Sequence, residues 1–118
     1  MRTTRLQLLQ FLSAIVIAVL LGIHMLTSHP TVTLGLFGVT DPTSWASVMS
    51  RARQGIWVSL YIALLAFVLY HALYGLRGII LEVTPSARTE RVINRVFIII
   101  GILTFIWGSY VPIALLSR

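Results

Sequence analysis

The chain has 118 residues, of which 58% are hydrophobic and only 10% are charged. A soluble domain of this length has too much surface for its volume to hide so much apolar area, so the composition predicts an integral membrane protein. The chain has no cysteine, which excludes disulfides, thiolate metal sites and an iron–sulfur cluster held by its own residues.

The formal net charge of +6 comes from nine arginines against three acidic residues, and the arginines lie at the ends of apolar runs. That placement indicates membrane orientation and contact with anionic lipid headgroups rather than nucleic-acid binding. The arginines divide into two groups on opposite sides of the membrane: Arg2, Arg5, Arg77, Arg88, Arg91 and Arg95 against Arg51, Arg53 and Arg118. The larger group belongs inside, which predicts a cytoplasmic N-terminus and an external C-terminus.

Three apolar stretches are long enough to cross a bilayer, which takes about 20 residues. Because no water satisfies the backbone inside lipid, each stretch must be helical. We therefore predict an all-α integral membrane bundle, with a single domain over residues 1–118 and transmembrane helices at about 6–28, 55–82 and 92–116.

Two loops join the predicted helices. The longer loop, over residues 29–54, contains the segment Asp41-Pro42-Thr43-Ser44-Trp45, which is typical of a turn leading into a short amphipathic segment near the interface. The shorter loop, over residues 83–90, is broken by Pro85. His29 lies in the longer loop and is interpreted as a surface residue.

The apolar stretch of the third predicted span, over residues 96–116, has no acidic residue, arginine, lysine or histidine. Its small residues Gly101, Thr104 and Gly108 predict a packing face, because small side chains let helices approach closely in membranes. Pro112 predicts a kink near the outer end of the span.

Each of the first two spans contains one histidine, His24 in the first and His71 in the second. Ionisable side chains inside a membrane are uncommon, and they usually have a function or a partner. Neutral imidazole is a common iron ligand, and its second nitrogen can be held by a helix carbonyl. The two interpretations of each histidine are therefore haem ligation and hydrogen bonding between helices.

The surroundings of His71 favour a binding site. His71, Gly75, Gly78 and Glu82 share one helical face, and the two glycines leave a groove where the edge of a macrocycle could lie. The same glycines could instead let two helices approach closely. Arg77 lies near this groove at the cytoplasmic border, where it either pairs with a carboxylate such as a haem propionate or anchors the chain at the membrane surface.

Depth separates the two histidines. With a rise of about 1.5 Å per residue, His24 lies about 5 Å below the external end of its span, and His71 lies about 22 Å from the external end of its own. Axial ligands of one iron must both reach it, at about 2 Å each. If both histidines are ligands, they therefore bind two different haems, and each iron takes its second histidine from another chain.

The segment from His71 to Glu82, HALYGLRGIILE, resembles the second-helix signature of succinate dehydrogenase membrane anchors. That signature is a histidine, a glycine four residues later, often an arginine at six and an acid at eleven. The first helix, with Leu8–Ala14 followed by His24, is similar to the anchors of the two-haem, two-subunit class. Anchors of that class have three helices each.

The resemblance implies a role for each candidate residue. His71 would ligate the haem nearer the cytoplasm and His24 the haem nearer the outside, each paired with a histidine of a sister anchor subunit. Gly75 would give the porphyrin room, and Arg77 would bind a propionate. Two departures are visible: Gly78 stands where single-haem relatives often have a second histidine, and Phe11 stands where members with a known inner quinone pocket have an arginine, although Ser13 keeps the hydroxyl.

The resemblance also implies the biochemical setting. The family carries electrons from succinate through a flavoprotein subunit and an iron–sulfur subunit to a membrane quinone. This chain would then be the cytochrome b anchor of succinate:quinone oxidoreductase in a prokaryotic plasma membrane, sharing two b-type haems with its sister anchor. The dicarboxylate site would lie on another chain, and no nucleic acid would be bound.

Two alternatives have different consequences. The chain could be the b-haem subunit of another respiratory enzyme, such as a hydrogenase or formate dehydrogenase, although those subunits usually have more histidines and longer chains. It could also be a haem-free helical scaffold or transporter accessory protein, in which both histidines only form hydrogen bonds between helices.

Overall fold

A computed structural model of the chain describes residues 2–29 and 41–118. These residues form four helices and, within those two ranges, no strand: α1 (Arg2–Ser28), α2 (Trp45–Ala52), α3 (Gly55–Val83) and α4 (Ala87–Leu116). The three long helices are each long and apolar enough to cross a membrane. The prediction of an all-α chain with three spans is therefore confirmed.

The helix boundaries differ most from the prediction between α3 and α4. Helix α4 begins at Ala87 rather than near residue 92, because the Ser86 side chain caps it by accepting a hydrogen bond of 3.2 Å from the backbone N–H of Thr89. Glu90, in the first turn, adds a negative charge where the helix dipole favours one. The predicted loop over residues 83–90 is therefore too long, and the connection covers only residues 84–86.

The turn predicted before α2 is present. The Asp41 carboxylate accepts a hydrogen bond of 3.2 Å from the backbone N–H of Thr43, and Ser44 caps α2 by accepting one of 3.3 Å from Ser47. Pro42 is fully buried beneath this turn. The short segment predicted after this turn is the helix α2, whereas residues 30–40 of the longer loop lie outside the described residues.

Helix α3 is the middle element of the described fold. It packs against α1 on one side and α4 on the other, while α1 and α4 do not contact each other in the described ranges. The α1–α3 pair is antiparallel: the Tyr70 hydroxyl donates to the Leu6 carbonyl near the start of α1, and the His24 ring meets Tyr61 near its end. The three long helices therefore form a row rather than a closed bundle.

Glycines set the close approach of α3 and α4. A Cβ atom at Gly108 would lie 2.6 Å from Cδ2 of Leu65, and one at Gly101 would lie 3.1 Å from Cδ1 of Leu73. Both glycines thus face α3, as predicted from the small-residue pattern. Thr104 is exposed instead, so its assignment to the packing face is wrong. Helix α4 continues through Pro112 to Leu116.

Most of the apolar surface in the described residues faces outward. Among the described residues, the buried hydrophobic residues are only Ala52, Val58 and Ile93, whereas Phe11 and Trp107 are 76% and 77% exposed. Such surface is stable against lipid tails or against helices of other chains, and not against water.

Candidate functional site

His71 is tied to α1 through its ring. Nδ1 lies 3.0 Å from the hydroxyl oxygen of Ser13, and the same oxygen lies 2.7 Å from the backbone carbonyl oxygen of Gln10. A carbonyl has no proton to give, so the Ser13 hydroxyl donates to Gln10 and accepts from His71. If the imidazole is neutral, this arrangement places its proton on Nδ1 and leaves a free lone pair on Nε2.

The backbone of His71 is held from the same turn of α1. The side-chain amide of Gln10 donates a hydrogen bond of 3.0 Å to the His71 carbonyl. That amide nitrogen lies 3.2 Å from where a Cβ atom of Gly75 would stand, so the missing side chain at Gly75 makes room for it. Gln10, Ser13 and His71 together form the α1–α3 polar cluster, which fixes both the ring and the main chain of the histidine.

The partner of the His71 ring differs from the one expected. A helix carbonyl can hold the second nitrogen of a ligating histidine, whereas the partner of His71 is a side chain of a different helix. A signal for it exists in the sequence, because Gln10 and Ser13 are polar residues three positions apart in an otherwise apolar run, and that spacing places them on one helical face.

His24 is placed quite differently. Its ring meets Tyr61 edge-on, with the centroids 5.5 Å apart and the planes at 87°. Nδ1 is buried and has no hydrogen-bond partner among the described residues. The ring borders an apolar groove of about 350 Å³ between α1 and α3, lined also by Leu21, Tyr61, Leu64, Leu65 and Val68. Within the described residues, His24 therefore has an unpartnered Nδ1 and borders an apolar groove.

Contacts between α1 and α3 fix the relative depth of the two histidines. His71 is level with Ser13, and His24 is level with Tyr61. Ser13 and His24 are eleven residues apart on α1, and Tyr61 and His71 are ten apart on α3. At about 1.5 Å per residue, the histidines are separated by about 15–16 Å along the helices, in agreement with the depths inferred from the sequence. One iron cannot reach both.

Arg77 lies on the other side of α3, against α4. Its Nη2 is 2.8 Å from a Glu90 carboxylate oxygen, and its Nε donates a bond of 2.6 Å to the side-chain oxygen of Asn94. The guanidinium also lies 5.9 Å from the centre of the Tyr74 ring. Arg77 therefore does meet a carboxylate, but within this structure that carboxylate is Glu90. Nη1 has no hydrogen-bond partner in the described ranges.

The two glycines after His71 have different surroundings. The space beside Gly75 holds the Gln10 amide, which matches the alternative that this glycine lets two helices approach closely. Gly78 is exposed and has no atom within 4 Å of its Cβ position, so of these two glycines only Gly78 leaves open space on this face. Glu82, at the end of the same face, is exposed.

Neither histidine belongs to a ready-made metal site. In residues 2–29 and 41–118, no group of three or more histidine or acidic side chains comes together in a way that could hold a metal ion. Because His24 and His71 lie at different depths, each would supply only one ligand to a haem iron, and a bound haem would need its second ligand from elsewhere. This donor set fits a bis-histidine haem shared between two subunits.

Comparison with known families identifies the setting of these helices. The family described as succinate dehydrogenase/fumarate reductase transmembrane subunit matches residues 2–108. The chain belongs to this family.

Two relatives of the succinate dehydrogenase family are hydrophobic membrane anchor subunits from archaea. The chain is 27% identical over 103 residues to that of Archaeoglobus fulgidus, covering 87% of this chain and 82% of the relative. It is 24% identical over 90 residues to that of Thermoplasma acidophilum, covering 75% and 68% respectively. No solved structure matches the chain significantly.

Family membership confirms the resemblance to succinate dehydrogenase membrane anchors that was seen in the second-helix signature. His24, His71, Gly75 and Arg77 all lie inside the matched stretch. The chain is therefore a transmembrane subunit of an enzyme complex of this family, which argues against a subunit of a hydrogenase or formate dehydrogenase.

Proposed function

We propose that the chain is the haem-bearing membrane anchor of a succinate:quinone oxidoreductase. In this proposal it binds two b-type haems together with a sister anchor subunit and carries electrons from the iron–sulfur subunit towards membrane quinone. The observation that supports it most strongly is the contact of 3.0 Å between Nδ1 of His71 and the Ser13 hydroxyl, which already donates to Gln10; this arrangement favours the proton on Nδ1 and leaves Nε2 as a free donor atom inside a membrane span.

His71 suits iron ligation because its ring is already oriented. An axial imidazole needs a deprotonated nitrogen towards the metal and a fixed hydrogen bond at the other nitrogen. The α1–α3 polar cluster supplies the second condition, and Nε2 has no competing hydrogen-bond partner among the described residues. A histidine that only joined two helices would not require its second nitrogen to stay open.

His24 suits iron ligation for a complementary reason. Its Nδ1 is buried and out of reach of any further group, whereas Nε2 is neither buried nor hydrogen-bonded among the described residues, so Nε2 is the atom that would bind iron. The neighbouring groove is apolar and borders exposed faces of α1 and α3, where a second chain can complete it. A haem is shared across such an interface if each chain contributes one histidine.

The chain's own residues would hold and orient the haem and exclude water from it, whereas the haem would supply the redox chemistry. When bound, b-type haem supplies one-electron transfer, with a potential set by its axial ligands and its burial. Gly78 leaves open space on the helical face of His71. Gly75, on the same face, makes room for the side-chain amide of Gln10. Arg77 would receive a propionate mainly through Nη1, because its Nε–H is bound to Asn94 and one N–H of Nη2 is bound to Glu90.

Charge favours the expected orientation and partners. Arg88, Arg91 and Arg95 are exposed at the start of α4, on the same membrane side as the exposed Arg5 of α1. This basic side would be cytoplasmic and would face the iron–sulfur and flavoprotein subunits, with the dicarboxylate site on the latter. The membrane would be the plasma membrane of a prokaryote.

The test is a visible spectrum of the complex purified with its sister anchor. We expect low-spin b-type bands, with one haem lost in His71→Ala and the other in His24→Ala. His29→Ala, which changes a histidine beyond the end of α1, serves as the control and should keep both haems. A wild-type complex without b-type bands would overturn the proposal, and so would equal loss of both haems in either variant of a complex that remains assembled.

A further inference from the structure

We propose that Ser13 is a positioning residue for the haem at His71. Through its hydroxyl, Ser13 fixes the tautomer of His71 and strengthens that imidazole as an iron ligand. This inference rests on the proposed haem-binding function and adds to it a role for a residue of the first helix. Ser13 would not touch the haem itself. It would act through the His71 ring.

The direction of the two hydrogen bonds carries the argument. The Ser13 hydroxyl donates its only proton to the Gln10 carbonyl at 2.7 Å, which is three residues earlier on the same helix. The oxygen is therefore held by α1 and presents a lone pair to His71, whose Nδ1 lies 3.0 Å away. Proton donation from Nδ1 to a polarised hydroxyl makes the opposite nitrogen more basic, which strengthens its bond to ferric iron.

Burial makes this contact hard to replace. Ser13 is 0% exposed, and both helices are membrane spans. If the hydroxyl were removed, no water from a lipid phase would take its place, and Nδ1–H would lose its partner. The imidazole could then rotate or change tautomer, and either change weakens the Nε2–iron bond.

Gln10 holds the main chain while Ser13 holds the ring. Its amide donates to the His71 carbonyl and lies over Gly75, so α1 cannot slide along α3 without breaking the contact. The distance between Ser13 and His71 is therefore fixed by packing rather than by the serine alone. This explains why a single hydroxyl from another helix can set the orientation of the ring.

His24 provides a comparison within the same chain. The hydroxyl of Thr27, three residues later on α1, donates to the carbonyls of Ile23 and His24 rather than to the ring. Nδ1 of His24 has no partner in the described residues. The two haems should therefore differ, with the haem at His71 having the lower midpoint potential because its ligand is the more basic one.

The test uses the assembled complex in a His24→Ala background, so that every signal comes from the haem at His71. Into this background we introduce Ser13→Ala, Ser13→Thr and, as a matched control, Ser109→Ala. Ser109 is also a buried serine of a membrane span, but its hydroxyl has no partner among the described residues. The measurements are haem retention, the midpoint potential and the low-spin ferric electron paramagnetic resonance signal.

Ser13→Ala should reduce haem affinity by about 10-fold or more, as is typical when the group that orients a metal-ligating histidine is removed. If a 10-fold loss falls on the ferric state alone, the midpoint potential rises by about 59 mV. The ferric signal should shift as well. Ser13→Thr keeps the hydroxyl and should restore all three properties, and Ser109→Ala should leave them unchanged.

Two outcomes separate this inference from the proposed function. If the parent complex contains no haem at His71, the proposed function fails. If it contains haem and Ser13→Ala leaves the potential and the ferric signal unchanged, the role of Ser13 is refuted while the haem site stands. If the complex with Ser13→Ala does not assemble, Ser13→Cys is the substitute, because it keeps the shape of the side chain and forms a weaker hydrogen bond. Ser13→Cys should shift the midpoint potential and the ferric signal in the same direction as expected for Ser13→Ala. Wild-type values in the Ser13→Cys complex would also refute the role of Ser13.

Discussion

The contact between Gly108 of α4 and Leu65 of α3 gives a graded test of how the row of helices is packed. A methyl carbon at Gly108 would lie 2.6 Å from Cδ2 of Leu65, whereas carbon atoms rest at about 3.5–4.0 Å. Leu65 must therefore move by about 1 Å. Overpacking of this kind costs about 1–3 kcal/mol. Alanine offsets about 0.5–1 kcal/mol of that cost through its better helix propensity.

The expected effect of Gly108→Ala is a net loss of about 0.5–2 kcal/mol in the free energy of unfolding. The assay is unfolding of the purified complex in mixed detergent micelles, followed by helical circular dichroism. Gly101→Ala, where the new methyl lies 3.1 Å from Leu73, should change stability little. Gly22→Ala, with no atom within 4 Å, should be neutral or slightly stabilising.

A second substitution identifies the cause of the loss. Leu65→Ala removes the side chain that Gly108→Ala displaces, so the double variant should be more stable than the sum of the two single effects predicts. Strict additivity, or a Gly108→Ala variant as stable as Gly22→Ala, would refute the close packing of α3 against α4. Because Leu65 also lines the groove beside His24, any spectral change in Gly108→Ala should affect the haem at His24 first.

Two further predictions concern the two sides of α3. Gly75→Ala should displace the Gln10 amide and lower the free energy of unfolding by about 1 kcal/mol, because the hydrogen bond from Gln10 to His71 is weakened. Gly78→Ala, with open space at its Cβ position, should not have this effect. Equal effects of the two substitutions in unfolding experiments would contradict the contact between Gly75 and the Gln10 amide. The Arg77–Glu90 pair, whose side chains are 24% and 51% exposed, should show a coupling of only about 0.2–1 kcal/mol in a double-mutant cycle, decreasing with added salt. A larger coupling that does not respond to salt would mean that the pair is buried by another subunit.

The fold was largely predictable because lipid permits few structures. An apolar run of sufficient length must be a helix, so the three spans follow from hydropathy alone. The start of α4 was missed because its first two turns contain Arg88, Glu90 and Arg91, which interrupt the apolar pattern without interrupting the helix. Ser86 is a typical N-cap residue, so the sequence did contain a local signal for the start of α4 at Ala87.

The candidate site was predictable only in part, for a physical reason. His24 and His71 stand out because ionisable residues are costly in a span. Their surroundings depend on which residues of α1 and α3 lie level with each other, and the Ser13–His71 contact joins residues 58 positions apart. The same is true of Arg77, whose partner Glu90 comes from the next helix across a short loop. Periodicity gives the face of a residue but not the side chain opposite it.

The most direct test of the central claim is a redox titration of the purified complex, followed at the visible absorption band of b-type haem. Two separate one-electron components are predicted for the wild type, with His24→Ala and His71→Ala each removing a different one. A single component abolished by either substitution would mean that both histidines serve one iron. The absence of any such component would mean that the histidines of this chain bind no haem.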